Sequence, residues 1–573
     1  MLSISPLLFP LPLAPTPARR SPHPSLASAP SPTETRAAPS SAVWNDTVSE
    51  AWTRAYSSAA ASPTSYEIEE IDGAIPAALR GTLFRNGPGN FERGGVRYEH
   101  VLDGDGLLCR FTLDGSKGTA HFARRFVETA EYVEEAEADA ILHRNTFGTQ
   151  PPGLLSNVLR LSLKNPANTH VVLHGGVCLA LWEAALPSRI DPHTLAYEGT
   201  EDFGGALKPG WLSVTSGLGE AADSALGLGE AYTAHPREDR ARGRMVGWSW
   251  AAPAVGDDLA VKILEFDLKT GEVLRSTAAA LPAVVAPHDF ALTANWYVFV
   301  LNAMDLQIAP FILGTGGPTA GLGTTGEGVT LRLIPRPDGT AAGRPPLTLR
   351  TDDPYFAIHH ATAFESVSEA DDDELEIRLY TAAWPYVGRG SFLKDWGGAV
   401  PCYDDGKIRP TQLLESTIRI SHGEIKVGPK RALAGGACID HPHCDPRFDG
   451  DERMRYLYMS YCNDEGVSGS PTIGWARYDR HTDTTLVWRA PPLAFCEELV
   501  VIPRSETAQE DSADVWLAGL IFDSESGRSS LAILNGDDIE AGPVCRLWLR
   551  DHVPHGLHGS FTTELFGPLS KAS

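Results

Sequence analysis

"ILEFDLKTGEVLRS", residues 263–276, sets two short apolar runs on either side of Asp267, Thr270 and Gly271. It reads as strand, tight turn, strand, because Asp and Gly tolerate the backbone angles that a reversal needs. The same unit returns along the chain. It is "FTLDGSKGTAHFARRFV" at 111–127, "RIDPHTLAYEG" at 189–199 and "LRLIPRPDGTAAGRPPLTLR" at 331–350. It is "STIRISHGEIKVG" at 416–428, "ARYDRHTDTTLVW" at 476–488 and "LAILNGDDIEAGPVCRLWL" at 531–549. Seven such hairpins with few long helices predict an all-β fold, a seven-bladed β-propeller. Their irregular spacing predicts helical and loop insertions capping one face. Two separate β-sandwiches would need a linker, and the middle of the chain has none.

The whole composition agrees with one large folded unit. Of 573 residues, 42% are hydrophobic and 21% charged, ample for a core. A formal net charge of −25 repels nucleic acid and excludes it as a partner. The eight cysteines are scattered without a CxxC pair, which predicts buried thiols rather than a disulfide framework.

The ends differ. Residues 1–42 are rich in Pro, Ser and Ala, carry Arg19, Arg20 and Arg36, and hold one acid, Glu34. Such a segment cannot bury enough surface to fold. It reads equally as a disordered tail and as a plastid transit peptide, basic and poor in acids. A secretory signal fits less well, since Pro10 and Pro12 break the apolar run and no cation precedes it. Residues 43–65 form a lead-in, 66–566 the propeller, and 567–573 a tail. No apolar run is long enough to predict a transmembrane helix. The localisation expected is the plastid, or otherwise cytoplasmic or membrane-peripheral.

Among eighteen histidines, four stand beside Pro, Gly or an aromatic next to an apolar segment. They are His235 in "AYTAHPRED", His288 in "VVAPHDFALTANWYVF", His359 in "PYFAIHHATAFE" and His558 in "HGLHGSF". Intervals of 53, 71 and 199 residues match no local metal motif, so only tertiary structure could bring them together. Other clusters compete. "IDHPHCD" (439–445) holds His441, His443 and Cys444, too few donors for a structural zinc site. "HVPHGLHG" holds His552, His555 and His558, but Pro554, Gly556 and Gly559 disfavour a helix that could align them, so one of the three is the better candidate ligand.

With these segments in view, the chain resembles the carotenoid cleavage oxygenase family. That family includes carotenoid- and apocarotenoid-cleaving dioxygenases, stilbene-cleaving dioxygenases and a retinoid isomerohydrolase. "GTLFRNGPGNFERGGVRYEHVLDGDGLLCRF" (81–111) resembles its opening signature. "AHPRED", "PHDFALT", "IHHATAFE" and "PHGLHGSF" resemble its histidine segments, in order. "VVLHGGVCLALWEAALPSRIDPHTLAYEG" and "EELVVIPRSETAQED" match further blocks. The likeness spans about residues 65 to 565.

The resemblance implies a propeller with one Fe(2+) per chain on its axis, held by His235, His288, His359 and His558; His360, His552 and His555 are then not ligands. It implies that Glu183 orients His288, Asp440 orients His359 and Glu498 orients His558, each accepting the distal imidazole N–H. Asp440 stands where the family usually has Glu, so its bond should need a backbone shift or a water. Thr362 replaces the more usual Asn. Glu183 and Glu498 lie in apolar runs, where an unpaired carboxylate would be costly.

The implied activity is oxidative cleavage of a conjugated C=C bond of a carotenoid or apocarotenoid to two carbonyl products, with O2 as co-substrate. Stilbene cleavage and O2-independent isomerohydrolysis share the same motifs, while a metal-free binding scaffold would have no need of all four histidines. A lipophilic polyene implies peripheral contact with a membrane. "PPGLLSNVLRLSLKN" (151–165) is the candidate: Leu154, Leu155, Val158 and Leu159 on one helical face, Arg160 and Lys164 towards headgroups. The alternative is a helix packed on the propeller.

Overall fold

The computed structural model describes residues 46–216, 218–253, 256, 258–367, 374–384, 411–463, 471–507 and 513–567. The stretch 1–42, Cys402 and the tail beyond 567 lie outside them.

The turn at Asp267–Gly271 shows how the hairpins are built. Asp267 Oδ1 accepts from the backbone N–H groups of Lys269 (3.0 Å) and Thr270 (2.8 Å). Gly271 follows at φ +72° and returns an N–H to the Asp267 carbonyl. An Asp side chain that satisfies two turn amides, then a Gly in the left-handed region, reverses the chain without help from the rest of the fold. Leu259–Asp267 and Val273–Leu281 therefore pair antiparallel.

Sheets of this kind are arranged as a seven-bladed propeller, and each of the seven hairpins lies in a different blade. Blade one holds Thr64–Glu67, Arg80–Arg85, Asp105–Asp114, Thr119–Phe126 and Gly559–Thr562. Blades two and three are built on His170–His174 and Arg244–Pro253, blades four and five on Trp296–Leu301 and Phe356–Val367, blades six and seven on Cys438–Cys444 and Val515–Asp523.

Both faces of a blade are buried against neighbours, so period-2 alternation sends successive side chains to opposite interfaces. On Asp105–Asp114, Leu107, Phe111 and Leu113 join a cluster with Leu520, Ile533 and Leu547 of blade seven. Leu108 between them faces Val171, Cys178 and Ile190 of blade two. This two-sided burial explains the unbroken apolar runs "WYVFVL" and "VWLAGLIF". Seven of the eight cysteines are buried free thiols.

The ring closes through both chain ends. Gly559–Thr562 pairs with Arg80–Arg85 in blade one, and Ile71–Gly73 pairs with Pro543–Trp548 in blade seven. The lead-in carries a helix, Asp46–Arg54, whose Ala51 and Trp52 pack, with Ala55 just after it, against Phe495 and Phe522. No helix among the described residues is long and apolar enough to cross a membrane.

The stretch 151–165 departs from expectation. Only Leu154–Ser156 is helical, a single 3-10 turn, and Leu159 takes φ +58°. Leu154, Leu155, Val158 and Leu159 are exposed all the same, Leu155 at 92%. Lys164 does not point outward: it is buried on Asp105 and on Glu135 (2.6 Å). A lysine so placed is retained by two carboxylates, which offset the cost of removing its charge from water.

Gly87 lies in the closing seam. A Cβ there would meet the Gly556 Cα at 2.4 Å and the Leu557 nitrogen at 3.0 Å, both backbone atoms. Gly87→Ala should therefore destabilise the protein by about 2 kcal/mol, as overpacking does. Chemical denaturation measures it; a change under about 0.5 kcal/mol, ordinary for a surface site, would contradict this seam.

Candidate metal centre

Each blade delivers one side chain to the axis. Blade two brings Glu183, just after Val177–Leu181; blade three brings His235, between Ala231–Tyr232 and Arg237–Asp239. His288 precedes Ala291–Leu292 of blade four, and His359 lies in Phe356–Val367 of blade five between two register shifts. Blade six brings Asp440 and blade seven Glu498, and His558 precedes the closing strand of blade one.

The four histidines converge. One nitrogen from each lies within 4.8 Å of all the others. His235 Nε2 is 2.9 Å from His288 Nε2, which is 3.3 Å from His359 Nε2. The carboxylates stand behind them. His288 Nδ1 is 2.7 Å from Glu183 Oε2, His359 Nδ1 2.8 Å from Asp440 Oδ1, and His558 Nδ1 2.8 Å from Glu498 Oε1. A carboxylate accepts only from a protonated Nδ1, so these three rings turn the lone pairs of Nε2 towards one another. His235 has its backbone fixed instead, its N–H donating to Thr233 Oγ1 at 3.0 Å.

Electrostatics follow from burial. Burial and the neighbouring imidazoles hold His235 well below the usual histidine range. Burial does the same to His558, against the pull of Glu498. Burial alone would raise Asp440 and Glu498, but His359 and His441 around the first, and His558 and His443 around the second, hold both well below the carboxylate range. Burial would lower His288 as well, but Glu183 and the other acids around it pull it above the usual histidine range. The carboxylates of Asp440 and Glu498 behind the imidazoles favour a cation among them.

The donor set fits a divalent metal. Imidazole nitrogens bind a zinc-sized ion at about 2.1 Å, so two at right angles stand about 3 Å apart. The separations of 2.9 and 3.3 Å match that spacing. Lone pairs facing at such distances repel unless a cation lies among them.

The remaining histidines sort themselves. His360 turns away, its Nδ1 2.8 Å from Thr381 Oγ1. His552 Nε2 meets the Ser57 carbonyl at 3.0 Å, and His555 packs on Trp52 and Tyr56 of the lead-in. Burial pushes His360 and His555 down to about 4, leaving both neutral. His441, His443 and Cys444 do not form a site of their own: His443 Nε2 is 2.7 Å from Glu498 Oε1, and the Cys444 thiol faces the Ala361 carbonyl. Asp440 reaches His359 directly, without a water. The strand shifts register between Asp440 and His443, the backbone irregularity that accompanies this direct contact. Thr362 lies off the centre, donating to Asp449 Oδ1 at 2.7 Å.

Three participants escaped the sequence reading. His170 sets Nδ1 2.8 Å from the Ala234 carbonyl, and its ring lies 5.3 Å from that of His558. Arg85 binds Glu497, and its Nη1 is 2.9 Å from Glu498 Oε2. Glu497 in turn accepts from the Gly556 N–H at 2.9 Å. The adjacent acids Glu497 and Glu498 inside an apolar run were the one available signal for a buried cation.

Above the centre lies a cavity of about 880 Å³. His288, His359 and His558 reach it, and Trp182, Trp248, Trp250 and Phe356 are among its walls. Its rim includes Trp211, Leu306 and Ile308, which are exposed.

The model of the retinal pigment epithelial membrane protein family matches residues 57–563. The chain is 31% identical over 522 residues to apocarotenoid-15,15'-oxygenase of Synechocystis, covering 89% of this chain and 96% of that protein. It is 26% identical over 514 residues to isoeugenol monooxygenase of Pseudomonas nitroreducens, covering 86% and 93%. A crystal structure of cobalt-substituted Synechocystis ACO superposes with a TM-score of 0.76 at 30% identity, over 90% of this chain and 98% of that one.

The carboxylates differ in what else they hold. Glu183 is 43% exposed at its side chain, whereas Glu498 is buried on His558, His443, Arg85 and the Gly559 N–H. Glu183→Gln should lower divalent-metal affinity by about tenfold and leave unfolding unchanged, while Glu498→Gln should lower it further and destabilise the fold. Chelator competition and thermal unfolding read the two effects; equal losses from both variants would contradict this difference.

Proposed function

The chain belongs to the family of the retinal pigment epithelial membrane protein, the carotenoid cleavage oxygenases, and on that premise we propose that it is an iron-dependent dioxygenase. Its substrate is a carotenoid or apocarotenoid, and one conjugated C=C bond is cleaved to two carbonyl products. The observation that carries this reading is the convergence of four imidazoles beneath an apolar, aromatic-walled cavity. The Synechocystis relative, named an apocarotenoid oxygenase, supports the substrate class.

His235, His288, His359 and His558 are the ligands of one iron per chain. Imidazole suits Fe(II), and four neutral ligands leave its positive charge to be offset by Glu183, Asp440 and Glu498 around them. Ferrous iron held there supplies dioxygen activation beside an electron-rich alkene. The chain's own residues do the rest. The three carboxylates keep Nδ1 of His288, His359 and His558 protonated and fix those rings. Trp182, Trp248, Trp250 and Phe356 hold the polyene by its flat faces and keep water out. The bond cut is the one the cavity's depth brings to the centre.

The balance is one alkene plus one O2 giving two carbonyl groups. With labelled O2 and prompt trapping of the aldehydes, label should enter both products. Label in one product alone, with water exchange controlled, would contradict dioxygenase chemistry; turnover without O2 would favour an isomerohydrolase. Faster turnover of stilbenes or isoeugenol-like alkenes than of apocarotenoids would move the substrate class.

A polyene must come from a membrane. Leu154, Leu155, Val158 and Leu159 stand exposed beside Ile308 and Leu313, and the Leu159 N–H donates to the Ile312 carbonyl, joining the two segments. Ile308 and Phe311 also reach the cavity, so this apolar rim leads inward. The rim is the bilayer contact. The basic, acid-poor stretch 1–42 supports delivery to a plastid. Leu155→Asp with Leu159→Asp should abolish flotation with liposomes while the unfolding midpoint stays unchanged; undiminished flotation would place the contact elsewhere.

A further inference from the structure

In the segment Asp440–His443, Asp440 supports His359 and His443 supports Glu498. His441 supports neither, yet it is the histidine of this segment that reaches the cavity. Asp440 holds the backbone of His441 directly. Its Oδ1 accepts from His359 Nδ1 and also, at 2.7 Å, from the backbone N–H of His441. The strand shifts register there, and His441 takes φ +48°, a left-handed conformation uncommon outside glycine though less so for His than for most residues. Non-glycine backbone held this way clusters at functional sites.

The ring is packed into the centre. It lies 4.9 Å from the ring of His359 and 5.3 Å from that of His558. Neighbouring rings among the four converging histidines are 4.4 to 5.4 Å apart, so His441 stands as close as they do. Its nitrogen groups with His359 and Asp440, not with all four. It is therefore beside the ligand set, not within it.

Ser460 Oγ stands 3.4 Å from both the Glu497 carbonyl and His441 Nδ1. When that hydroxyl donates to the carbonyl it accepts from His441, and Nδ1 carries the proton. Its Nε2 then keeps a lone pair.

We propose that His441 is a fifth functional imidazole of the centre, a hydrogen-bond acceptor for an O–H donor lodged beside the four converging nitrogens. The donor is a water or a substrate hydroxyl. This rests on the metal reading above.

The test uses the full chain loaded with Co(II), in wild-type form and as H441F and H441N. Phe keeps the ring's bulk without an acceptor. Asn tolerates the left-handed backbone but is too short to reach, so it serves if H441F does not fold. If the donor is a water, both variants should shift the Co(II) visible spectrum and weaken Co(II) binding by about tenfold, as loss of an outer partner does. If the donor is a substrate hydroxyl, the Co(II) spectrum should hold. KM of the iron-loaded enzyme should then rise about tenfold for a hydroxylated apocarotenoid and not for its unsubstituted counterpart, about the discrimination one hydrogen bond gives. Variants that match wild type in spectrum, affinity and this KM ratio would overturn the role of His441. A wild-type protein that takes up no Co(II) would overturn the metal reading itself.

Discussion

Nε2 lone pairs of His288 and His359 directed at one another 3.3 Å apart repel, and the centre of this protein is built on that repulsion. A free imidazole would escape it by swapping its proton to the other nitrogen. Three of the four converging imidazoles cannot, because a carboxylate already takes the N–H on Nδ1. The tautomer is locked from behind, and the charge of the carboxylates makes a cation the natural occupant in front. Everything else in the molecule serves to hold seven side chains in that arrangement.

A propeller is suited to the task because its blades share one axis and pack on each other through continuous apolar interfaces. Such interiors yield little, so a side chain at the hub keeps its place. The weak point of any ring is its closure. Here the closure coincides with the centre: the strand that completes blade one begins directly after His558. Glu498 sits at that junction and accepts from His558, His443, Arg85 and the Gly559 backbone. One buried carboxylate thus joins ring closure to the orientation of His558, and Arg85, shared with Glu497, offsets part of its charge. Breaking such a network leaves charges unpaired in a dry interior, which is why its parts stand or fall together.

The same logic extends outward to the cavity. Its walls are apolar and aromatic, its floor carries the imidazoles, and its lining includes the exposed Trp211, Leu306 and Ile308. The Leu159–Ile312 hydrogen bond joins the segment of the last two to the exposed leucines of 154–159. Beneath them Arg144 is fully buried and donates to the carbonyls of Asn157, Arg160, Phe311 and Gly316. A guanidinium surrounded by carbonyl oxygens ties these loops to the short helix Ala309–Ile312 and gives them a fixed shape. The rim is therefore a built surface, although its backbone is irregular.

How much of this was legible follows from the range of the forces involved. The hairpins were readable because turns are local: Asp267 satisfies amides two and three residues on, and Gly271 supplies the positive φ. The blade count came from repeating that reading seven times. Helix formation at 151–159 was misread because apolar spacing alone does not exclude a single turn capped by loops, and Lys164 was misplaced because its partners, Asp105 and Glu135, lie far along the chain. The sequence alone determined the hairpins, the two-sided apolar strands and, through likeness of motif, which histidines to pair with which acids. Only the tertiary structure decided that imidazoles 53, 71 and 199 residues apart meet, that an aspartate beside a register shift reaches His359, and that His441 faces the cavity. Turn chemistry acts over a few bonds and is written in neighbouring residues, whereas convergence on an axis depends on the packing of every blade between.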